Sequence, residues 1–232
     1  MLILSIDTST RGCSVAVHQN GVLLSGYDLF TDKSSSAMLT TLIQNAVENS
    51  GFKLSDLDAI AVAKGPGSYT GLRVSVSTAK GLCYALDKPL IAVNTLEAMA
   101  KQVIPYFSRN FLFCPMIDAR RMEVYTSVFD AECRIIKPTE AVIMSEESFK
   151  DILESRKVVF FGDGAAKCKA LLAASENAIF PDAEIRPSAR TVGDLAVKSY
   201  AENQFEDIAS FEPFYLKDFM TPPSRKAPAV AL

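Results

Sequence analysis

Two halves of this chain repeat one order of elements, and that repetition limits the folds open to it. Sliding the sequence by 111 positions lays Ile6-Asp7 on Ile117-Asp118 and Leu24 on Ile135. The same shift sets Cys13, Val15 and Val17 on Val124, Thr126 and Val128. Each half opens on an apolar strand that ends in aspartate, residues 2–6 and 111–117, followed by a strand of period two. In the first half Asn20-Gly21 is a strong hairpin signal, and a third strand returns. Met38, Leu39, Leu42, Ile43, Ala46 and Val47 then recur at three and four, which predicts an amphipathic helix over 37–49 closed by Gly51. Residues 59–63 read as a buried strand, 90–93 as another, and Asn94 with Glu97 starts a helix over 95–107. The second half answers with a helix from Ser145 to about 154, a buried strand at 157–161, the turn Gly162-Asp163-Gly164, and a helix over 165–174.

A connector at 181–190, a helix over 191–203 and an extended segment at 213–216 that packs down complete the pattern. No low-complexity linker separates the halves. The expected fold is α/β: a duplicated two-lobe architecture with mixed sheets flanked by helices. The lobes are placed at 1–107 and 108–220, with a mobile tail at 221–232.

The totals exclude several functions. The net charge of −3 provides no global basic field for nucleic acid or anionic membrane. No run approaches the 18 or so apolar residues of a membrane span. The first apolar stretch meets Asp7 after six residues, too early for a signal peptide, so the expected compartment is the cytoplasm. The five cysteines lack any Cys-x-x-Cys pair and read as small buried hydrophobes. His18 is the only histidine, which removes metal sites needing two histidines and leaves little room for histidine acid/base work. It reads as a plain hairpin residue.

The most distinctive stretch is Lys64-Gly65-Pro66-Gly67-Ser68-Tyr69-Thr70-Gly71-Leu72-Arg73. It follows a buried strand and opens a helix that runs to the stop at Asp87-Lys88-Pro89. Gly65 and Gly67 permit close backbone approach, and the helix N-terminus could hold an anion. The spacing matches neither the P-loop nor the dinucleotide fingerprint, and a tight strand-to-helix turn is the favoured reading of these residues by themselves. Between Ser68 and Leu86 the only charges are Arg73 and Lys80, so this helix needs cover on a second side. A partner subunit or a neighbouring helix of the same chain would serve.

Asp7 and Asp118, at strand ends in duplicated lobes, would face each other across a cleft. Thr8, Ser9 and Thr10 place hydroxyls beside the first. Such a set could hold magnesium through water and grip phosphate, or the aspartates could simply cap turns. Bulky Arg120-Arg121-Met122-Glu123 in the second hairpin turn and a carboxylate at Asp163 fit a nucleotide poorly.

Ile-Asp-Thr-Ser at 6–9, the glycine loop at 64–73, Ile-Asp-Ala-Arg-Arg-Met-Glu-Val-Tyr at 117–125 and Pro-Phe-Tyr-Leu-Lys at 213–217 together resemble the TsaB (YeaZ) family. The resemblance implies an actin/Hsp70-like (ASKHA, ribonuclease H-like) fold. It also implies a catalytically inactive relative of TsaD, serving the transfer of threonylcarbamoyl to the adenosine beside the anticodon of tRNA. The implied partners are the TsaD-type catalytic subunit and the TsaE-type ATPase. Contact with tRNA would be indirect, and the chain would form a homodimer when alone. No cofactor is implied for the isolated chain; ATP with magnesium would enter only in the assembled complex. TsaD-type catalysts carry a His-x-x-x-His metal pair, which one histidine cannot supply. Relatives pair through the first two long helices, so Met38, Leu42, Ala46, Tyr69, Leu72, Val76 and Ala79 are the interface candidates. Asp7, Thr8, Ser9, Gly65, Gly67, Ser68 and Asp118 form a vestigial phosphate site. The chain departs from the family at Ser34-Ser35-Ser36, where a histidine is common, and at Met122, where glycine is usual. The rival reading is an active ATPase or small-molecule kinase using Asp7, Asp118 and the 65–71 loop; a metallopeptidase is disfavoured by the lone histidine.

Overall fold

The computed structural model describes residues 1–30 and 35–217. Ser34, the side chains of Ser35 and Ser36, and the tail expected at 221–232 lie outside the described residues. Each half of the chain builds one five-stranded sheet, and the two sheets share one topology. In the first, β1 (Leu2–Asp7), β2 (Cys13–Gln19), β3 (Val22–Leu29), β4 (Ala59–Gly65) and β5 (Leu90–Asn94) stand in the order β3-β2-β1-β4-β5. In the second, β6 (Leu112–Asp118), β7 (Glu123–Phe129), β8 (Ile135–Ile143), β9 (Val158–Phe161) and β10 (Ala178–Ile179) stand in the order β10-β9-β6-β7-β8. The opening strand of each sheet pairs antiparallel with its hairpin partner and parallel with the later buried strand. The duplication seen as a sequence shift is therefore a duplication of mixed-sheet topology.

Helices α1 (Ser35–Asn49) and α2 (Tyr69–Leu86) cover one face of the first sheet. Leu39, Ile43, Ala46 and Val47 of α1 and Val76, Ala79 and Cys83 of α2 join Leu4, Ile6, Val15 and Val62 in one cluster. Burying each large aliphatic side chain there contributes about 1.5–3 kcal/mol. On the outer face of the second sheet, the short α4 (Lys150–Leu153) and α5 (Ala165–Leu172) do the same work with Ile152, Leu153, Cys168 and Leu172. The helix expected from Ser145 is shorter than its pattern implied because β8 extends the edge strand to Ile143 and the chain turns once before Lys150.

The inner faces are covered by exchange. Helix α6 (Ala189–Ala201) comes late in the chain yet packs Val192 and Ala196 on Ile3, Ala59, Ala61 and Ala63 of the first sheet. Helix α3 (Thr95–Val103) precedes the second sheet and packs Leu96, Met99, Ala100 and Val103 on Phe113, Ile117 and Phe161 of it. The layers run α1/α2, first sheet, α6 with α3, second sheet, α4/α5. A division at 107/108 separates the two sheets, but α3 and α6 each cross it.

Side-chain direction also corrects the 111-position alignment at one strand. Leu2, Leu4 and Ile6 face the outer helices of the first lobe, and Leu112, Cys114 and Met116 face those of the second. Ile117 turns inward to α3, although Ile6 turns outward. The pairs Ile6↔Val15 and Met116↔Thr126 show that the second hairpin holds one more residue between matched positions. One residue of slip reverses the face of every side chain in a strand. Asp118 therefore corresponds in direction to Thr8, and Asp7 to Ile117.

His18 lies on the β2–β3 hairpin, as its place before Asn20-Gly21 implied, and it is buried at 1% exposure. Its ring lies against the α6 backbone: a Cβ at Gly193 would come within 2.2 Å of His18 Nδ1. Nε2 is 3.3 Å from Asp194 Oδ1, without the alignment of a hydrogen bond. Gly193→Ala should therefore lower stability by about 1–3 kcal/mol in urea denaturation. His18→Ala should suppress much of that cost in a double-mutant cycle; simple additivity would show that the two residues do not meet.

Candidate functional site

Two surfaces carry the sequence-derived candidates: the strand-end turns between the lobes and the outer helices of the first lobe. In the first, the glycine loop and the hairpin turn after β1 consume each other's polar groups. Ser68 N–H donates to Ser9 O at 2.6 Å, and Thr8 Oγ1 donates to Gly71 O at 2.6 Å. A Cβ on Gly67 would stand 2.2 Å from Ser9 O, and one on Gly71 only 1.9 Å from Thr8 O. Glycine is required at both positions because another stretch of backbone fills the space a side chain would need. Ser68 caps α2 by accepting from Gly71 N–H. The loop is the tight strand-to-helix turn, closed by its own hairpin.

The remaining members of the expected phosphate site are likewise engaged or turned away. Asp7 Oδ1 accepts from Ser9 N–H at 2.8 Å and Ser9 Oγ at 2.6 Å. Among the described residues Asp7 Oδ2 has no hydrogen-bond partner, and burial pushes the carboxyl up to about 6 against the lowering effect of Ser9. Asp118 is exposed and bonds Lys167 of α5 on the outer side of its sheet. Partial burial opposes its ionisation, but Lys167 and the Arg120 N–H hold the carboxyl below the usual range. The expectation that Asp7 and Asp118 oppose each other is thus corrected by the face reversal. Asp163 accepts from Asp118 N–H at 2.9 Å, and burial raises its carboxyl. Arg120 and Arg121 both occupy the left-handed region, with φ of 71° and 50°, in the turn before β7. Among the described residues, these strand-end groups fit a magnesium nucleotide poorly.

Lys217 and Tyr215 belong to the same region although their roles were not anticipated. Phe214 N–H donates to Lys64 O at 2.7 Å, so the 213–216 segment packs onto the glycine loop. The Tyr69 and Tyr215 rings lie 4.8 Å apart, with Arg73 5.0 Å above Tyr69. Lys217 bonds the Glu123 carboxylate at the start of β7 and tethers the segment to the second lobe. Earlier, Lys80 of α2 donates to Phe211 O at 3.0 Å and to Ala209 O. A single segment therefore crosses from α2 to β7.

On the outer helices the interface candidates divide. Leu42, Ala46, Leu72, Val76 and Ala79 are buried against the first sheet, Leu72 at 1% exposure, so they are core residues. Met38 is exposed, and Tyr69 is half-buried beside Tyr215. The outward faces are instead Thr41, Gln44 and Asn45 on α1, with Arg73, Ser77, Gly81 and Tyr84 on α2. Tyr84 is 85% exposed. The signal for these was present as non-aliphatic residues recurring at three and four, masked by the stronger apolar stripe.

A family model described as "TsaD: tRNA N6-adenosine threonylcarbamoyltransferase" matches residues 30–221. The TsaB protein of Escherichia coli K12, a tRNA threonylcarbamoyladenosine biosynthesis protein, is 30% identical over 223 residues, covering 94% of this chain and 95% of its own. This chain belongs to the TsaB family. The Bacillus subtilis 168 TsaB is 32% identical over 179 residues, covering 74% of this chain and 75% of the relative. YeaZ from Pseudomonas aeruginosa matches with a TM-score of 0.81 and 26% identity over 93% of this TsaB-family chain and 99% of that structure. The fold is the expected actin/Hsp70-like, ribonuclease H-like duplication. An activator of 2-hydroxyisocaproyl-CoA dehydratase from Clostridium difficile shares that fold at a TM-score of 0.53 with 10% identity.

The Asp7 carboxyl gives this TsaB-family protein a distinct pH signature. Its pKa is raised from 3.8 to about 6, so the folded state binds more protons than the unfolded one between those values. Its contribution is greatest at low pH and is lost as pH rises through that window, by roughly 3 kcal/mol at most. Asp7→Asn should narrow the stability gap between pH 4 and pH 7 in chemical denaturation. An unchanged pH profile would show that the buried carboxylate is solvated.

Proposed function

We propose that this chain is the non-catalytic partner subunit of the complex that transfers threonylcarbamoyl to the adenosine next to the anticodon of tRNA. In that role it stabilises and orients a TsaD-type catalytic subunit, with a TsaE-type ATPase in the same assembly. The observation carrying this reading is the near-full-length match to TsaB proteins in a chain whose one histidine is enclosed under α6. The rival ATPase or kinase reading loses support because the Ser9 hydroxyl is spent on Asp7, the Thr8 hydroxyl on Gly71 O and the Ser68 N–H on Ser9 O. A nucleotide, if used, belongs to the assembled complex. The net charge of −3 assigns tRNA chiefly to other subunits, and the chain works in the cytoplasm.

The partner packs on the outward faces of α1 and α2, and a second copy takes the same place when the chain is alone. Helices of 15 and 18 residues are about 22 and 27 Å long at 1.5 Å per residue, enough for the ~800 Å² that a stable interface buries on each side. Ser77 and Gly81 allow close helix approach, and Arg73 and Tyr84 are side chains favoured at energetic centres of interfaces.

Gly81 provides a clean test, because a Cβ there meets nothing within 4 Å among the described residues. Gly81→Arg should leave the monomer folded, with a helix gain of up to about 1 kcal/mol. It should weaken co-purification with the TsaD-type protein of the same cell by about 30-fold or more. Undiminished pairing would remove α2 from the interface. Leu72→Glu, by contrast, should unfold the first lobe.

A further inference from the structure

A pocket of about 310 Å³ opens at the carboxyl ends of β4 and β5, between those strands and the C-terminal half of α6. The carboxyl edge of parallel strands is where α/β sheets characteristically receive ligands. It is lined by the half-buried Lys64 and Glu97, the exposed Lys198 and Glu202, and the apolar Ala92, Val93 and Leu195. Asn94, at its edge, spends its side chain on the α3 N-terminus and on Thr139 of β8, which fixes that wall to the second lobe.

The charges are arranged unusually. Lys198 and Glu202 lie 3.9 Å apart at the surface. Among the described residues, neither the Lys64 ammonium nor the Glu97 carboxylate has a hydrogen-bond or ion-pair partner, although each feels the other's field. Glu97 is half-buried, and its carboxyl is raised by that burial while Lys64 and Lys198 draw it back. Groups of opposite sign thus face across a gap, in surroundings where an unpaired charge is costly.

We propose that this pocket binds a small zwitterionic α-amino acid, with its ammonium on Glu97 and its carboxylate on Lys64. Two lysines and two glutamates leave the lining with no net formal charge, so an ion of one sign meets as much repulsion as attraction. A phosphate would confront both carboxylates. A zwitterion makes a charge-assisted contact at each end, and Ala92, Val93 and Leu195 receive an aliphatic side chain between them. This site lies apart from the α1/α2 face and does not depend on the pairing proposed above.

The test is calorimetry on the full chain with glycine, L-alanine, L-valine, L-threonine and L-leucine. Each is compared with its N-acetyl derivative and with the amine lacking the carboxylate. One or more of the amino acids should bind at one per chain, with both half-ligands at least about tenfold weaker. Glu97→Gln and Lys64→Met should each weaken binding by about tenfold, with circular dichroism and Gly81-dependent pairing unchanged. If one variant does not fold, the other decides. No heat with any amino acid at millimolar concentration, or binding unchanged in the folded variants, would overturn the assignment.

Discussion

The rest of the first lobe depends on backbone meeting backbone at the end of β1. The Ser9 and Thr8 carbonyls occupy the volume over Gly67 and Gly71, and the Ser68 N–H and Thr8 hydroxyl close the contact. Once the hairpin turn and the loop interlock, the direction of α2 is set and its apolar stripe is laid on the sheet. That same contact places a carbonyl oxygen where an anion-binding helix terminus would receive a phosphate. One geometric arrangement explains both the glycine pattern and the poor fit for a nucleotide.

A second constraint follows from duplication without symmetry. Both sheets have the same strand order, yet the extra residue in the second hairpin turns Asp118 outward to Lys167 while Asp7 stays buried on Ser9. A pair of matched acids in the sequence has become one solvated ion pair and one desolvated carboxyl. The 213–217 segment adds a further asymmetry, since it packs on the first lobe's glycine loop and is tied by Lys217 to Glu123.

Much of this architecture was legible because strands and glycine turns write strong local signals. The alternation in β2, the Asn20-Gly21 hairpin and the buried run before Lys64 all correspond to elements of the structure. The faces were harder. Leu42, Ala46, Leu72, Val76 and Ala79 mark the apolar side of each helix, but an apolar side serves a sheet or a partner equally well until the sheet is placed. The inward position of His18 depends on Gly193, 175 positions away in sequence, and no local pattern announces that contact. Asp118 misled because a one-residue slip leaves the Ile-Asp dipeptide intact while reversing its direction.

The exchanged helices have a consequence for how the polypeptide is made. During vectorial synthesis the first sheet emerges early, but Ile3, Ala59, Ala61 and Ala63 remain uncovered until Val192 and Ala196 leave the ribosome. The N-terminal half cannot mature as an autonomous cotranslational unit. Its exposed apolar surface must be shielded until α6 has been made.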